Sequence, residues 1–161
     1  MQIMGKKTEL KQEDIIHIFP ELADDPDFQI TSEASSKYNC IAWAYKYTDR
    51  WMQYGESYNL DSVVYWWPEG VKNSPYIEAY VEAFKLIGYE TCEHWQHEED
   101  YEKIALYMDE EQKCTHAARE KLNGKWTSKL GRSNDISHNN PYSLEGIYYG
   151  KVASIMKRKR K

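Results

Sequence analysis

Between Lys103 and Leu130 the chain reads KIALYM, THAARE, an Asn-Gly pair and KWTSKL in close succession. KIALYM (103–108) is a short apolar run of the kind that fills a strand buried on both faces, and THAARE (115–120) is a second strand candidate. Asn123 and Gly124 tolerate the positive φ that tight hairpins require, so they turn the chain into KWTSKL (125–130). Strands in this order pair antiparallel, which commits the C-terminal half to a sheet. YETC (89–92) reads as extended, 131–141 as loop, and GIYYGKVASIM (146–156) as a last strand or helix.

The N-terminal half has a different period. Residues 10–19 form a short amphipathic helix stopped by Pro20, and 21–36 are an acidic, turn-rich lead-in. A helix over 39–54 carries the seam Cys40, Ala44, Tyr47 and Trp51, with Ser35, Ser36 or Asn39 as N-cap. VVYWWPEG is extended until Pro68 and Gly70 end it. Ser74 and Pro75 then open a helix with the stripe Ile77, Tyr80, Val81, Phe84 and Ile87, closed by Gly88. Helices followed by strands predict an α+β fold, with N-terminal helices packed on an antiparallel β-sheet. The expected organisation is a lead-in with a short helix at 1–37, one domain at 38–156 and a solvated basic tail at 157–161.

A chain of 161 residues can bury a real core, and its 14 tyrosines and 6 tryptophans supply large contact areas. The net charge of −5 argues against a nucleic-acid partner. Three scattered cysteines point to reduced thiols, and no stretch suits a leader or a membrane span. The expectation is a cytoplasmic protein without membrane contact, export by a signal-less secretion system remaining open. The C-terminal KRKRK is basic against this acidic body, and a frayed terminus is its default reading.

Cys40 carries the sharpest chemical question. A catalytic cysteine needs a lowered thiol pKa, a base and an oxyanion hole, and a helix N-terminus supplies part of the first and third. His116, mid-strand beside the small Ala117 and Ala118, is the candidate base. Its orienting partner depends on the hairpin. A strict two-residue turn puts Thr127, Lys129 and Gly131 on the face of His116, whereas a longer loop brings Ser128 there. Asp135, and His138 after it, are the stronger chemical orienters of an imidazole, so Asp135 stands ahead of Ser128. The backbone N–H of Cys40 with Asn39, and Trp43 on the same helix, are candidate oxyanion and substrate contacts. The plainer reading is that Cys40, on an apolar seam, and His116 simply pack. Cys114, two residues before His116, shares its face in an extended strand. Cys92, His94 and His97 match no zinc signature, so no metal or cofactor is assigned.

YNCIAWA, WWP, GYETCE, EKIALY, THAARE, GKWTSKLG, DISH and LEGIYYG together resemble an uncharacterised bacterial domain family over Tyr38 to Lys157. The order of helix-borne cysteine and sheet-borne histidine also resembles papain-like cysteine hydrolases of the NlpC-type branch. That resemblance implies a papain-like arrangement and a thiol hydrolase or acyltransferase acting on an amide: a peptide, a cell-wall peptide or a protein glutamine. The alternative is a non-catalytic interaction or toxin-neutralising protein on the same scaffold, with a protein partner in place of a peptide or protein substrate. An effector or toxin module fits the first reading as well as a housekeeping enzyme does.

Overall fold

The run predicted as a buried strand is the spine of the molecule. The structure, a computed structural model, describes residues 7–55, 58–60 and 63–161. Its helices are α1 (Gln12–Ile18), α2 (Cys40–Ala44) and α3 (Ile77–Lys85). Its strands are β1 (Gln29–Ile30), β2 (Trp51–Met52), β3 (Tyr58–Leu60), β4 (Val63–Trp66), β5 (Glu90–Cys92), β6 (Tyr101–Met108), β7 (Cys114–Glu120), β8 (Trp126–Lys129), β9 (Asp135–His138) and β10 (Lys151–Lys159). Seven strands form one antiparallel sheet in the order β1-β9-β8-β7-β6-β10-β5, and β2-β4-β3 form a small second sheet. The fold is thus mixed α and β, mostly antiparallel sheet with few helices.

Alternation along β6 builds two cores. Ile104 and Leu106 face Ala117 and Met156 on the side covered by α2 and α3, where Cys40, Ile41, Tyr80 and Phe84 pack. Ala105 and Tyr107 face the other way, with Ala118, Trp126, Ile136 and Tyr149. This second core is closed by Ile15, Phe19, Leu22 and Phe28, so the N-terminal lead-in is an integral layer. Each such buried side chain is worth about 1.5–3 kcal/mol over leaving it in water. No helix among the described residues is long and apolar enough to cross a membrane.

Four local expectations change. The helix predicted over 39–54 stops at Ala44. Tyr47 N–H reaches Ala42 O and Lys46 N–H reaches Trp43 O, a Schellman ending with Lys46 at φ 73° where glycine usually stands. The helix at 74–88 begins at Ile77, and Ser74 caps only the turn before it by accepting the Tyr76 N–H at 3.2 Å. The segment 131–141 contains β9, a short polar strand whose hydrogen bonds to β8 outweigh its weak pattern. Residues 157–159 are not a frayed tail: they are the end of β10, paired with β6.

The hairpin takes the longer of its two predicted forms. Lys121 N–H bonds Lys125 O, and Gly124 sits at φ +83°, giving a three-residue loop. Ala118 therefore pairs with Ser128, and Arg119 with Thr127. That register decides which side chains can meet His116.

Candidate functional site

His116 lies on β7 with its ring fully buried in the second core. It stacks on Tyr149, ring centroids 3.9 Å apart, and meets the edge of its cross-strand neighbour Tyr107 at 5.0 Å. Its Nε2 is 3.0 Å from Ser128 Oγ, which is 2.8 Å from His138 Nε2, and His138 Nδ1 is 2.9 Å from Asn140 O. The carbonyl of Asn140 can only accept, so His138 carries its proton on Nδ1. Its Nε2 then accepts the Ser128 hydroxyl, and Ser128 accepts the N–H of His116 Nε2. His116 Nδ1 is left as a buried lone pair with no hydrogen-bond partner. Burial holds His138 down to about 4 and His116 well below the usual imidazole range, the neighbouring His138 adding to the latter.

Cys40 opens α2, on the face of the sheet that carries Ala117. Desolvation pushes its thiol up. The backbone amides of Ala117 and Ile41 and the charge of Lys129 pull the other way without overcoming it. A helix of 5 residues also offers less dipole than the longer one predicted. Asn39 is the N-cap: its Oδ1 accepts the N–H of Ala42 at 3.0 Å and of Met52 at 3.1 Å, while Nδ2 donates to Met52 O at 3.0 Å. A cleft of about 340 Å³ opens beside Cys40, walled by Trp51, Met52, Tyr80, Cys114 and Gly131. No hydrogen bond joins Cys40 to His116, because β7 directs the imidazole to the face opposite α2.

The predicted site residues therefore fall into two groups. Ser128 joins His116. Asp135 does not: it stands across from Lys129 in β9, on the α2 side, and accepts the Tyr38 hydroxyl at 2.9 Å. The same one-residue register that delivers Ser128 removes Asp135. Burial raises the Asp135 carboxyl, and it lowers the Lys129 ammonium to about 8. Lys129 donates to Ser35 O and Gly131 O, both at 2.7 Å. Trp43 donates its indole N–H to Thr127 Oγ1 at 3.0 Å and is covered by Arg119, 4.2 Å above the ring. Cys114 does not share the face of His116, because the β6–β7 register shifts between them and the thiol packs against the first core.

Sequence reasoning missed Tyr107, Tyr149 and Tyr38, and it considered Lys129 only as a neighbour of His116 under the strict two-residue turn. Their roles follow from cross-strand register, which no local pattern carries. The loop of Cys92, His94 and His97 disperses its candidate ligands: Cys92 bonds the His94 carbonyl, His94 lies against Lys103, and His97 meets Glu120. Among the described residues no group of three or more His, Cys, Asp or Glu is placed to hold a metal ion.

No curated protein and no solved structure matches the chain. The model of one protein family does, over residues 29–157, the span that holds Cys40, both buried histidines and the large sheet up to Lys157 in β10. The chain belongs to that family, the domain of unknown function DUF7689.

Proposed function

We propose that this protein is a thiol hydrolase or acyltransferase of papain-like, NlpC-type arrangement, acting on an amide carbonyl of a peptide, cell-wall peptide or protein glutamine. Cys40 is the nucleophile, His116 the base and Ser128 the group that orients it. The observation carrying this reading is the state of the imidazole. Nε2 is pinned at 3.0 Å to Ser128, and Nδ1 keeps a lone pair that no protein group uses. A base needs that combination of a fixed ring and a free nitrogen.

Burial keeps both partners neutral at rest, so the thiol gives up its proton during attack rather than before it. The substrate enters the cleft beside Cys40, and because β7 directs the imidazole to the opposite face of the sheet, proton transfer requires β7 to turn His116 through to the α2 side. Sγ bonds the carbonyl carbon, its proton passes to His116 Nδ1, and the carbonyl oxygen becomes an oxyanion beside the Ala117 amide and Lys129. Collapse breaks the C–N bond, and His116 returns the proton to the leaving amine. Water or an acceptor amine then releases the thioester.

The test is residue-resolved labelling with iodoacetamide in a background where Cys92 and Cys114 are serine. Cys40 should react at neutral pH, and His116→Gln should slow it at least about tenfold, the lower reach of a positioned base. Equal rates in the two proteins would refute the thiol mechanism.

That outcome would favour the second reading, a non-catalytic interaction protein, which has its own support. Gly146 and Gly150 exchange two backbone hydrogen bonds and clamp the loop between them, with Tyr149 as its buried anchor. Ile147 is thereby presented 92% exposed beside a groove of about 810 Å³ that also carries Met108, Tyr148, Asp109, Glu110 and Glu145. An apolar knob with an acidic rim suits a partner segment that is apolar and basic.

A further inference from the structure

A second cleft lies on the other side of α2, where the end of β10 passes the β7–β8 hairpin. It occupies about 320 Å³ between Lys46, Glu102, Arg119, Glu120, Lys121 and Arg160, and it continues into a space of about 450 Å³ toward the last residues. The basic C-terminal stretch, held in place as strand, brings positive charge to a chain that is −5 overall.

The bonding is unevenly satisfied. Glu102 already serves three cations: Lys46 at 3.1 Å, Arg158 at 2.6 Å and Arg160 Nη1 at 3.4 Å. Arg160 keeps Nε and Nη2 shielded from solvent and without a partner. Those two N–H groups share one edge of the guanidinium, the edge that grips an oxyanion side-on through two parallel hydrogen bonds. Arg119 spends Nη1 on the Trp43 carbonyl at 3.0 Å rather than on a carboxylate, and burial lowers its pKa. Lys121 reaches over Trp43 from the rim. Glu120 is buried with Oε2 3.3 Å from His97 Nδ1 and Oε1 unpartnered. Burial raises its pKa, with the His97 ring pulling the other way.

We infer that this cleft binds a phosphate group, gripped by the Nε/Nη2 edge of Arg160 with Arg119 and Lys121 completing the shell. A carboxylate would fill the Arg160 edge and leave the other two cations unmatched. A dianion matches the surplus.

Titration of the full chain with inorganic phosphate, at ionic strength held constant with sodium chloride and read by the amide NMR signals of Lys121 and Asn123, tests this. Saturable binding is expected, weakened at least about tenfold in Arg160→Gln by loss of the bidentate edge and about threefold in the rim variant Lys121→Gln. Parallel titration with O-phosphoserine separates the sources: tighter binding than inorganic phosphate identifies an ester on a larger molecule, and weaker binding identifies the free ion. The inference is overturned by the absence of saturable binding, by equal affinity in folded Arg160→Gln and Lys121→Gln, or by acetate binding as tightly as phosphate.

Discussion

Acid should destabilise this protein through its buried histidines, and His138 allows the size to be worked out. Its folded pKa is about 4 and its ordinary value 6.5, so the native state holds it neutral while the unfolded chain takes up a proton below pH 6.5. The stability of the neutral form is complete above pH 6.5 and drains away as pH falls toward 4. At pH 5 the loss from this one group is about 2 kcal/mol, from 1.36 kcal/mol per pH unit over the interval below 6.5. His116, held lower still, adds to the loss with the same sign. Asp135 and Glu120 act in the opposite direction, since burial raises their carboxyl groups and their native forms hold protons more tightly than the unfolded chain does. The total slope therefore mixes signs, and comparison with His138→Gln isolates one contribution. Urea unfolding of both proteins at pH 7 and pH 5 should show the wild type losing about 2 kcal/mol more than the variant, a midpoint difference on the order of 1 M. The variant also starts lower at pH 7, because Ser128 loses an acceptor, but that offset cancels in the slope. Identical pH slopes would refute the neutral relay from His116 through Ser128 to His138.

Ser128→Ala removes the centre of that relay and strands a nitrogen on each buried ring, a loss of about 2–4 kcal/mol in urea unfolding. It should also slow iodoacetamide labelling of Cys40, and a variant as stable as wild type contradicts the bonding described. Gly150→Ala would set a methyl 2.0 Å from Met108 O at a φ of +74°, so a loss above about 2 kcal/mol is expected from the left-handed conformation and the clash together, and a neutral result would contradict the clamp. Lys46→Gly trades a strained left-handed lysine for glycine. It gains about 1 kcal/mol of backbone relief against a half-exposed ion pair worth about 0–1 kcal/mol, so its midpoint should stay level or rise slightly. A drop beyond about 1.5 kcal/mol would mean that Lys46 holds Glu102 more firmly than a surface pair can.

Much of the frame was legible along the chain. KIALYM announced the central strand because apolar residues in unbroken succession have no solvent face to offer. The helix around Tyr80 and Phe84 followed from its 3.6-residue stripe, and the hairpin from Asn123 and Gly124. Each of these signals is carried by neighbours in sequence. Lengths were less legible: Lys46 ends α2 in a conformation that lysine does not advertise, and the β9 strand has too few apolar residues to stand out before β8 supplies its hydrogen bonds.

The candidate site was half legible for the same reason. Residue types alone nominated Cys40, His116 and the pair of possible orienters, Ser128 and Asp135. Choosing between those two required the loop length of one hairpin, since a shift of one residue exchanges the faces of every side chain on β8 and carries Asp135 with Lys129 to the α2 side. The charge cluster at Arg160 was less visible still, because a basic C-terminus reads as a solvated tail until β6 fixes it as strand beside the β7–β8 hairpin. Sequence alone determined the central strand, the helix around Tyr80 and Phe84 and the turn at Asn123 and Gly124, a matter of period and turn chemistry within a few residues. Tertiary structure decided which functional groups face one another, because cross-strand register is set by contacts between residues far apart in the chain.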